Sequence, residues 1–435
     1  MSDFIPLDTF RIECINLYRE GTPEDEKFDI RDFAYEIAIH EDMFSPTIFA
    51  HIVMNDLINL PESFPLVGGE FVDLRFKTPS QPDVQTLTLC VAKVGERLQT
   101  DQTNKQVYTL HLITQDRYLD FKINLSKAYD GTYDNIVDML LKDLGTTTSL
   151  VKDVANYNQT FICPYWSPLK ACQWVASRAY GVKTDPFMFW ETMDGYNFKS
   201  LYNVYSQEPY TKVFIEPSRV DTDGDKAWRR VQKWEYKASA DRMRQLSNSA
   251  WGVNVILLDS ESRSIEKQTF DYRTLSEAED FAKIDQFPLY PEADSKMFHV
   301  SFMYTRADKS HEGEVYRNMM MSMLDFYRMK IVVPGDSGYR AGQIIEMDVP
   351  DFSSSAVQNE TLTSGRWLIV SLCHLIRQNN YSCSLELCKD SYAADVRSEI
   401  GLPAAAESDK KVVEGKEAQK PENKPADKLI PEAKS

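Results

Sequence analysis

Two eight-residue segments far apart in the chain carry one pattern, and this constrains the fold more than any other feature. Gly69-Glu70-Phe71-Val72-Asp73-Leu74-Arg75-Phe76 reads as glycine, a Glu or Gln, two apolar residues, an acid, an apolar residue, a charged residue and an apolar one. Gly342-Gln343-Ile344-Ile345-Glu346-Met347-Asp348-Val349 repeats that order. Downstream, Leu110-His111-Leu112 corresponds to Leu385-Glu386-Leu387, 41 residues after Gly69 in the first copy and 43 after Gly342 in the second. Each copy thus reads as a turn, a strand, a long connection and a hairpin, the makings of a small closed or nearly closed β barrel. Alternating strands resemble one another easily, so the pattern leaves duplication and coincidence both open. The matched order and spacing are what a duplication requires. Two similar modules per chain also mean that a closed trimer would present six, matching a six-fold partner.

The chain has room for both modules. Its 435 residues exceed one compact domain, and 43% hydrophobic with 12% aromatic residues is enough to build several cores. The formal net charge is −17. The final 404–435 segment holds seven Lys against five Glu and two Asp, so the whole excess of acid belongs to the preceding residues. Such a surface repels phosphate and argues against counterion-release binding of nucleic acid. It suits plain solubility, and equally a wall past which nucleic acid slides without sticking. Seven cysteines without a C-x-x-C pair, and no basic, apolar leader, predict reduced, buried thiols in a chain made in the cytoplasm. No run approaches the roughly 18 apolar residues of a membrane span.

Strand signals fill the first region, at 28–39, 47–53, 71–76, 86–94 and 106–114, with turns at Ser45-Pro46 and Gly68-Gly69. The middle changes character. Thr132 caps a predicted helix over 133–144, whose Ile136, Met139, Leu140 and Leu144 share a face and which Gly145 stops. Ser167-Pro168 opens a second predicted helix running to about Tyr180, with Gly181 as a left-handed stop. A hairpin of 187–192 and 196–201 turns at Asp194-Gly195. In the last third a helix is predicted over 314–329, with Val315, Met319, Met323 and Phe326 at helical spacing. Strands follow at 330–333, 343–349, 367–376 and 381–388. From Ala404 onward aromatics vanish, and a disordered tail is expected.

The expected fold class is therefore α+β, mainly β: two tube-like β-barrel modules, an α/β insert and a disordered C-terminal tail. The expected boundaries are 1–121 for the first module, 122–218 for the insert, and 219–392 for the second module with a further α/β insertion around 255–310. Residues 393–435 form linker and tail.

Signals of chemistry are poor. Gly335-Asp336-Ser337-Gly338 is similar to the nucleophile segment of chymotrypsin-like serine proteases, yet it sits between strand signals and fits a hairpin loop. A triad needs a base in hydrogen-bond contact with the nucleophile, and none of the six histidines has diagnostic surroundings. Asp221-Thr222-Asp223-Gly224-Asp225 resembles the start of a calcium loop, but its glycine falls at the fourth position instead of the sixth. His311-Glu312-Gly313-Glu314 lacks the second histidine of a zincin and reads as a helix start. Pro164-Tyr165-Trp166 with Trp174 reads as insert core, since basic residues for nucleic-acid stacking are missing. No catalytic, cofactor-binding or metal-ligating residue is assigned, and no cofactor is expected.

Phe44-Ser45-Pro46 followed by Leu66-Val67-Gly68-Gly69-Glu70 resembles the first tube-like domain of contractile-tail baseplate hubs. Pro186-Phe187-Met188-Phe189-Trp190-Glu191, Asp194-Gly195-Tyr196-Asn197-Phe198-Lys199-Ser200-Leu201, Gln207-Glu208-Pro209-Tyr210 and Glu216-Pro217-Ser218 resemble the middle domain of such hubs, most of all the central hub of T-even-like myophages. Val333-Pro334-Gly335 through Met347, then 367–387, is similar to the second tube-like domain. The resemblance covers about residues 1–392. It lies in order and architecture and rests on no short invariant motif.

The resemblance implies a homotrimer in which two tube-like domains per chain make a pseudo-six-fold ring. That ring joins a three-fold central spike to the six-fold tail tube and its initiator proteins. It encloses part of a channel for DNA, which passes without specific binding, and for the tape-measure protein. The implied location is the virion baseplate, with no membrane insertion. The family extends to the first part of type VI secretion spike proteins, which continue into an oligonucleotide-binding-like domain and a needle; here the spike is expected as a separate polypeptide. The alternatives are a tail-tube initiator or type VI-like hub ring and, from another class, a serine hydrolase using Ser337.

Overall fold

The computed structural model describes residues 10–393 apart from internal segments, of which the longest are 216–227, 275–282, 289–297 and 351–358. The Asp221–Asp225 loop and the expected tail lie outside the described residues. Strands dominate, as a mainly β α+β fold requires.

The first module comprises β1 (Arg11–Tyr18), β2 (Ala34–Asp42), β3 (Phe49–Asp56), β4 (Phe71–Lys77), β5 (Gln85–Val94), the short β6 (Leu98–Gln99) and β7 (Gln106–Thr114). Along β3 and β7 side chains alternate, so Ala50, Ile52 and Met54 face Tyr108, Leu110 and Leu112 inside one core. The insert follows. Its helices α1 (Tyr133–Leu144) and α2 (Pro168–Arg178) pack on the hairpin β8 (Phe187–Thr192) and β9 (Gly195–Ser200) around Ile136, Leu140, Val175, Phe187 and Phe198.

The second module resumes with β10 (Lys233–Ser239). Strands β11 (Gly252–Asp259), β12 (Ser264–Asp271) and β13 (His299–Tyr304) then form a separate three-stranded sheet, over which α3 (Ser310–Met323) packs. The module closes with β14 (Tyr327–Pro334), β15 (Ile344–Asp348), β16 (Gly365–Arg377) and β17 (Asn380–Lys389).

Both modules belong to one sheet, ordered β10-β14-β17-β16-β2-β3-β7-β5-β4-β1 through its main path. The two copies of the repeat are built alike to the level of single hydrogen bonds. Gly69 and Gly342 adopt φ +89° and +90°, backbone that only glycine enters cheaply. The Gly69 N–H donates to Val91 O (2.8 Å) and the Val91 N–H returns to Glu70 O (2.8 Å). The Gly342 N–H donates to Ile369 O (2.8 Å) and the Ile369 N–H to Gln343 O (2.9 Å). Val91 stands opposite Leu112 and Ile369 opposite Leu387, and each pair is followed at once by a bulge in the register. The correspondence of Leu110-His111-Leu112 with Leu385-Glu386-Leu387 is thus the register itself. Extended outward, it equates β2 with β10, β3 with β14, β4 with β15, β5 with β16 and β7 with β17.

Three local expectations need correction. The helix read over 314–329 ends at Met323, and 327–334 is strand. Pairing of β14 with β17 and β10 claims those residues, while Phe326 reaches the same apolar cluster from the turn. The second insert helix stops at Arg178, with Ala179 extended (φ −72°) and no left-handed cap. Gly181 serves close approach: its N–H donates to Asp185 O (2.9 Å), and a Cβ there would lie 2.4 Å from Asp185 Oδ1. Finally, Tyr165 is largely exposed with φ +59°, so of the aromatic cluster only Trp166 and Trp174 pack against the insert core.

Candidate functional site

The face of the sheet turned away from its core mixes polar and apolar side chains across both modules, Phe49, Val332 and Leu375 among them. Alternation puts Ser371, Cys373 and Leu375 of β16 on it, beside Ser382, Ser384 and Glu386 of β17 and His40 of β2. His51 of β3 faces His111 of β7 in the same row. Toward β10 the face holds a concavity of about 500 Å³ lined by Lys233, Glu235, Lys330, Ser384, Glu386 and His40. Carboxylates here are matched by cations. Arg377 Nε donates to Glu36 Oε2 (2.7 Å), and Arg328 lies 3.8 Å from Glu386. The face is charge-balanced, so the acidity of the whole chain does not make it an acidic wall. His40 stacks on Phe49 with ring centroids 4.5 Å apart, and burial aided by the neighbouring His51 holds its pKa down to about 4.

The insert is tied to both modules at one buried point. Glu41 of β2 is fully buried; one carboxylate oxygen accepts the Met193 N–H (2.8 Å) from the insert hairpin and the other the Ala341 N–H (2.9 Å) from the second module's repeat loop. Burial raises its pKa to about 7 despite the nearby Arg340. Glu191, also raised by burial, to about 8, accepts the Ile48 N–H (3.0 Å). Arg340 donates through Nε and Nη2 to the Asp194 carboxylate (2.8 Å each) and through Nη1 to Ser337 O (2.6 Å). Arg317 of α3 donates to Phe187 O (2.6 Å) and Ala176 O (3.3 Å), and Trp190 Nε1 donates to Ala341 O (3.0 Å). This clasp was not legible in the sequence; its sole local sign was a glutamate within an apolar strand run.

The remaining sequence candidates do not form a reactive centre. Ser337 is buried, its hydroxyl 2.6 Å from Thr78 Oγ1 and not on a histidine. His374, held neutral by burial, uses Nδ1 on the Tyr381 hydroxyl (2.8 Å). His311-Glu312-Gly313-Glu314 forms the first turn of α3, and Glu314 pairs with Arg178 at 3.4 Å. All seven cysteines are free thiols, five of them buried. Among the described residues no group of three or more His, Cys, Asp or Glu is placed to hold a metal ion, and no helix is long and apolar enough to cross a membrane.

No protein-family model matches the chain, and no curated protein matches its sequence. Solved structures do match its fold. The tail protein from Neisseria meningitidis MC58 superposes with a TM-score of 0.54 at 11% identity, over 87% of this chain and 96% of that one. The 43 kDa tail protein of prophage MuSo2 from Shewanella oneidensis superposes with a TM-score of 0.55 at 10% identity, over 88% of this chain and 100% of that one. Nearly the whole length of both of those chains is matched. The chain therefore carries the fold of phage tail proteins.

Proposed function

We propose that this chain is a structural hub of a contractile phage-tail baseplate and has no catalytic role. In this reading it is a homotrimeric adaptor between a six-fold tail tube and a three-fold central spike, carried in the virion. Its domains are 1–121, 122–218 and 219–392, the last with its insertion around 255–310. The observation that carries the reading is the duplicated module set in one continuous sheet. Three copies place six near-equivalent modules around one axis, which meets a hexameric tube on one side and a trimeric spike on the other.

The charge-balanced sheet face is the natural channel wall. A wall that sets bases beside its acids lacks the single-sign field that would hold passing DNA or tape-measure protein. Native mass measurement of the full chain, alone and with the spike protein of the same phage, is expected to show a trimer. A chain that stays monomeric and ignores both tube and spike proteins refutes the hub.

A further inference from the structure

Lysine is almost never fully buried, yet Lys389, the last residue of β17, is 0% exposed. Its Nζ lies 3.2 Å from Oδ2 of Asp285, a carboxylate that is itself 9% exposed, and donates also to Ser364 O (2.5 Å). The Trp367 ring lies over Nζ, its centroid 5.6 Å away, so an apolar wall replaces water on that side.

Both groups are held by the backbone around them. The Ile284 N–H donates to Asp390 Oδ1 (3.0 Å) and the Asp285 N–H to Ser391 Oγ (2.6 Å). Phe287–Pro288 then pairs antiparallel with Ser391–Tyr392. The Asp285 carboxylate accepts the Gln286 N–H on Oδ1 (3.0 Å) and the Arg366 N–H on Oδ2 (3.1 Å). Gly365, at φ +111°, stands beside amine and acid alike. A Cβ there would lie 2.3 Å from Asp285 Oδ2 and 3.0 Å from Lys389 Nζ, so only glycine leaves room for the two to meet.

A stable fold gains little from two charges kept out of water. Burial also holds the Lys389 amine below the usual lysine range, and a desolvated amine that has lost its proton is a nucleophile. Here it is fixed against a carboxyl carbon, with the entropy of bringing the two together already spent in folding.

We propose that Lys389 and Asp285 condense into an intramolecular isopeptide bond, a self-modification that ties the 255–310 insertion to the last long strand of the second module. Lys389 passes one proton to the carboxylate, and the freed Nζ lone pair forms a bond to Cγ. The Cγ–Oδ2 bond breaks with its electron pair on oxygen, which leaves as water with that proton and a second one from Nζ. No oxidant or further reactant enters. The Gln286 N–H stands on Oδ1, where negative charge gathers while Cγ is tetrahedral. The bond joins residues 104 positions apart. It goes beyond the hub reading and does not depend on it.

Intact mass spectrometry of the full-length chain, purified natively and denatured before injection, is expected to read one water less than the sequence mass. Trypsin is expected to leave Lys389 uncut, in a branched peptide joined to Asp285. Lys389→Arg and Asp285→Ala, each compared with its own sequence mass, are expected to show no loss of water. A parent at full sequence mass, with Lys389 cleaved like any other lysine, leaves a plain buried ion pair and overturns the proposal. A loss of water that persists in Lys389→Arg lies at another site and overturns it as well.

Discussion

Gly342→Ala and Gly69→Ala together test the internal repeat, because the backbone cost is shared and the surroundings differ. At φ +90° and +89° an L-residue is strained by about 1–2 kcal/mol, equally at both sites. A Cβ on Gly69 meets only the Tyr118 hydroxyl at 3.3 Å, the free end of a side chain that swings aside. A Cβ on Gly342 lies 2.6 Å from Trp190 Cζ2. Trp190 is 2% exposed and anchored by its bond to Ala341 O, so it cannot retreat without losing that bond and its packing. Overpacking of this kind adds about 1–3 kcal/mol. Urea unfolding followed by tryptophan fluorescence is expected to place Gly69→Ala about 1–2 kcal/mol below the parent and Gly342→Ala about 2–5 kcal/mol below it. Equal losses, or a greater loss at Gly69, refute the argument that Trp190 and the insert hairpin lock the second copy.

Three further expectations follow from the buried clasp. Glu41 has a folded pKa of about 7, above its ordinary 4.5, so its contribution to stability is present in full below about 4.5 and is lost as pH rises through 7; Glu41→Gln reduces the difference in unfolding free energy between pH 5 and pH 7.5, and an unchanged difference refutes the assignment. Arg317→Met leaves the Phe187 and Ala176 carbonyls unpaired and costs about 2–4 kcal/mol, read as a lower urea midpoint with earlier proteolysis at the insert. Ser337→Ala removes one buried hydroxyl pair, costs about 1 kcal/mol, and leaves fluorophosphonate labelling absent as in the parent. Labelling of the parent that disappears in the variant refutes the structural role of Ser337.

Much of the chain's local structure was written in short-range patterns. Strand alternation marked β3, β5, β7, β16 and β17, and α1 runs from Tyr133 to Leu144 with Gly145 left-handed at φ +80°, as its capping residues indicate. The repeat could be read because a turn needing glycine followed by an alternating strand keeps the same residue types wherever it is used. The boundary at Met323 could not be read this way. Val315, Met319, Met323 and Phe326 satisfy a helical period, and only competition from β17 and β10 for residues 327–334 cuts the helix short.

Partner choice was equally invisible. Nothing near Ile376 or Ile37 says that they meet, and Glu41 gathers N–H groups from residues 152 and 300 positions away. The sequence by itself marked the strands with clear alternation, a matched pair of segments and the glycine turns, because those depend on side-chain period and backbone freedom over a few residues; the strands Arg11–Tyr18, β10, β11, β12 and β13 were not read from it. Tertiary structure alone decided how the two modules fuse into one sheet and where the insert is clasped to them. Those depend on pairing energies between residues hundreds of positions apart, to which no local pattern is bound.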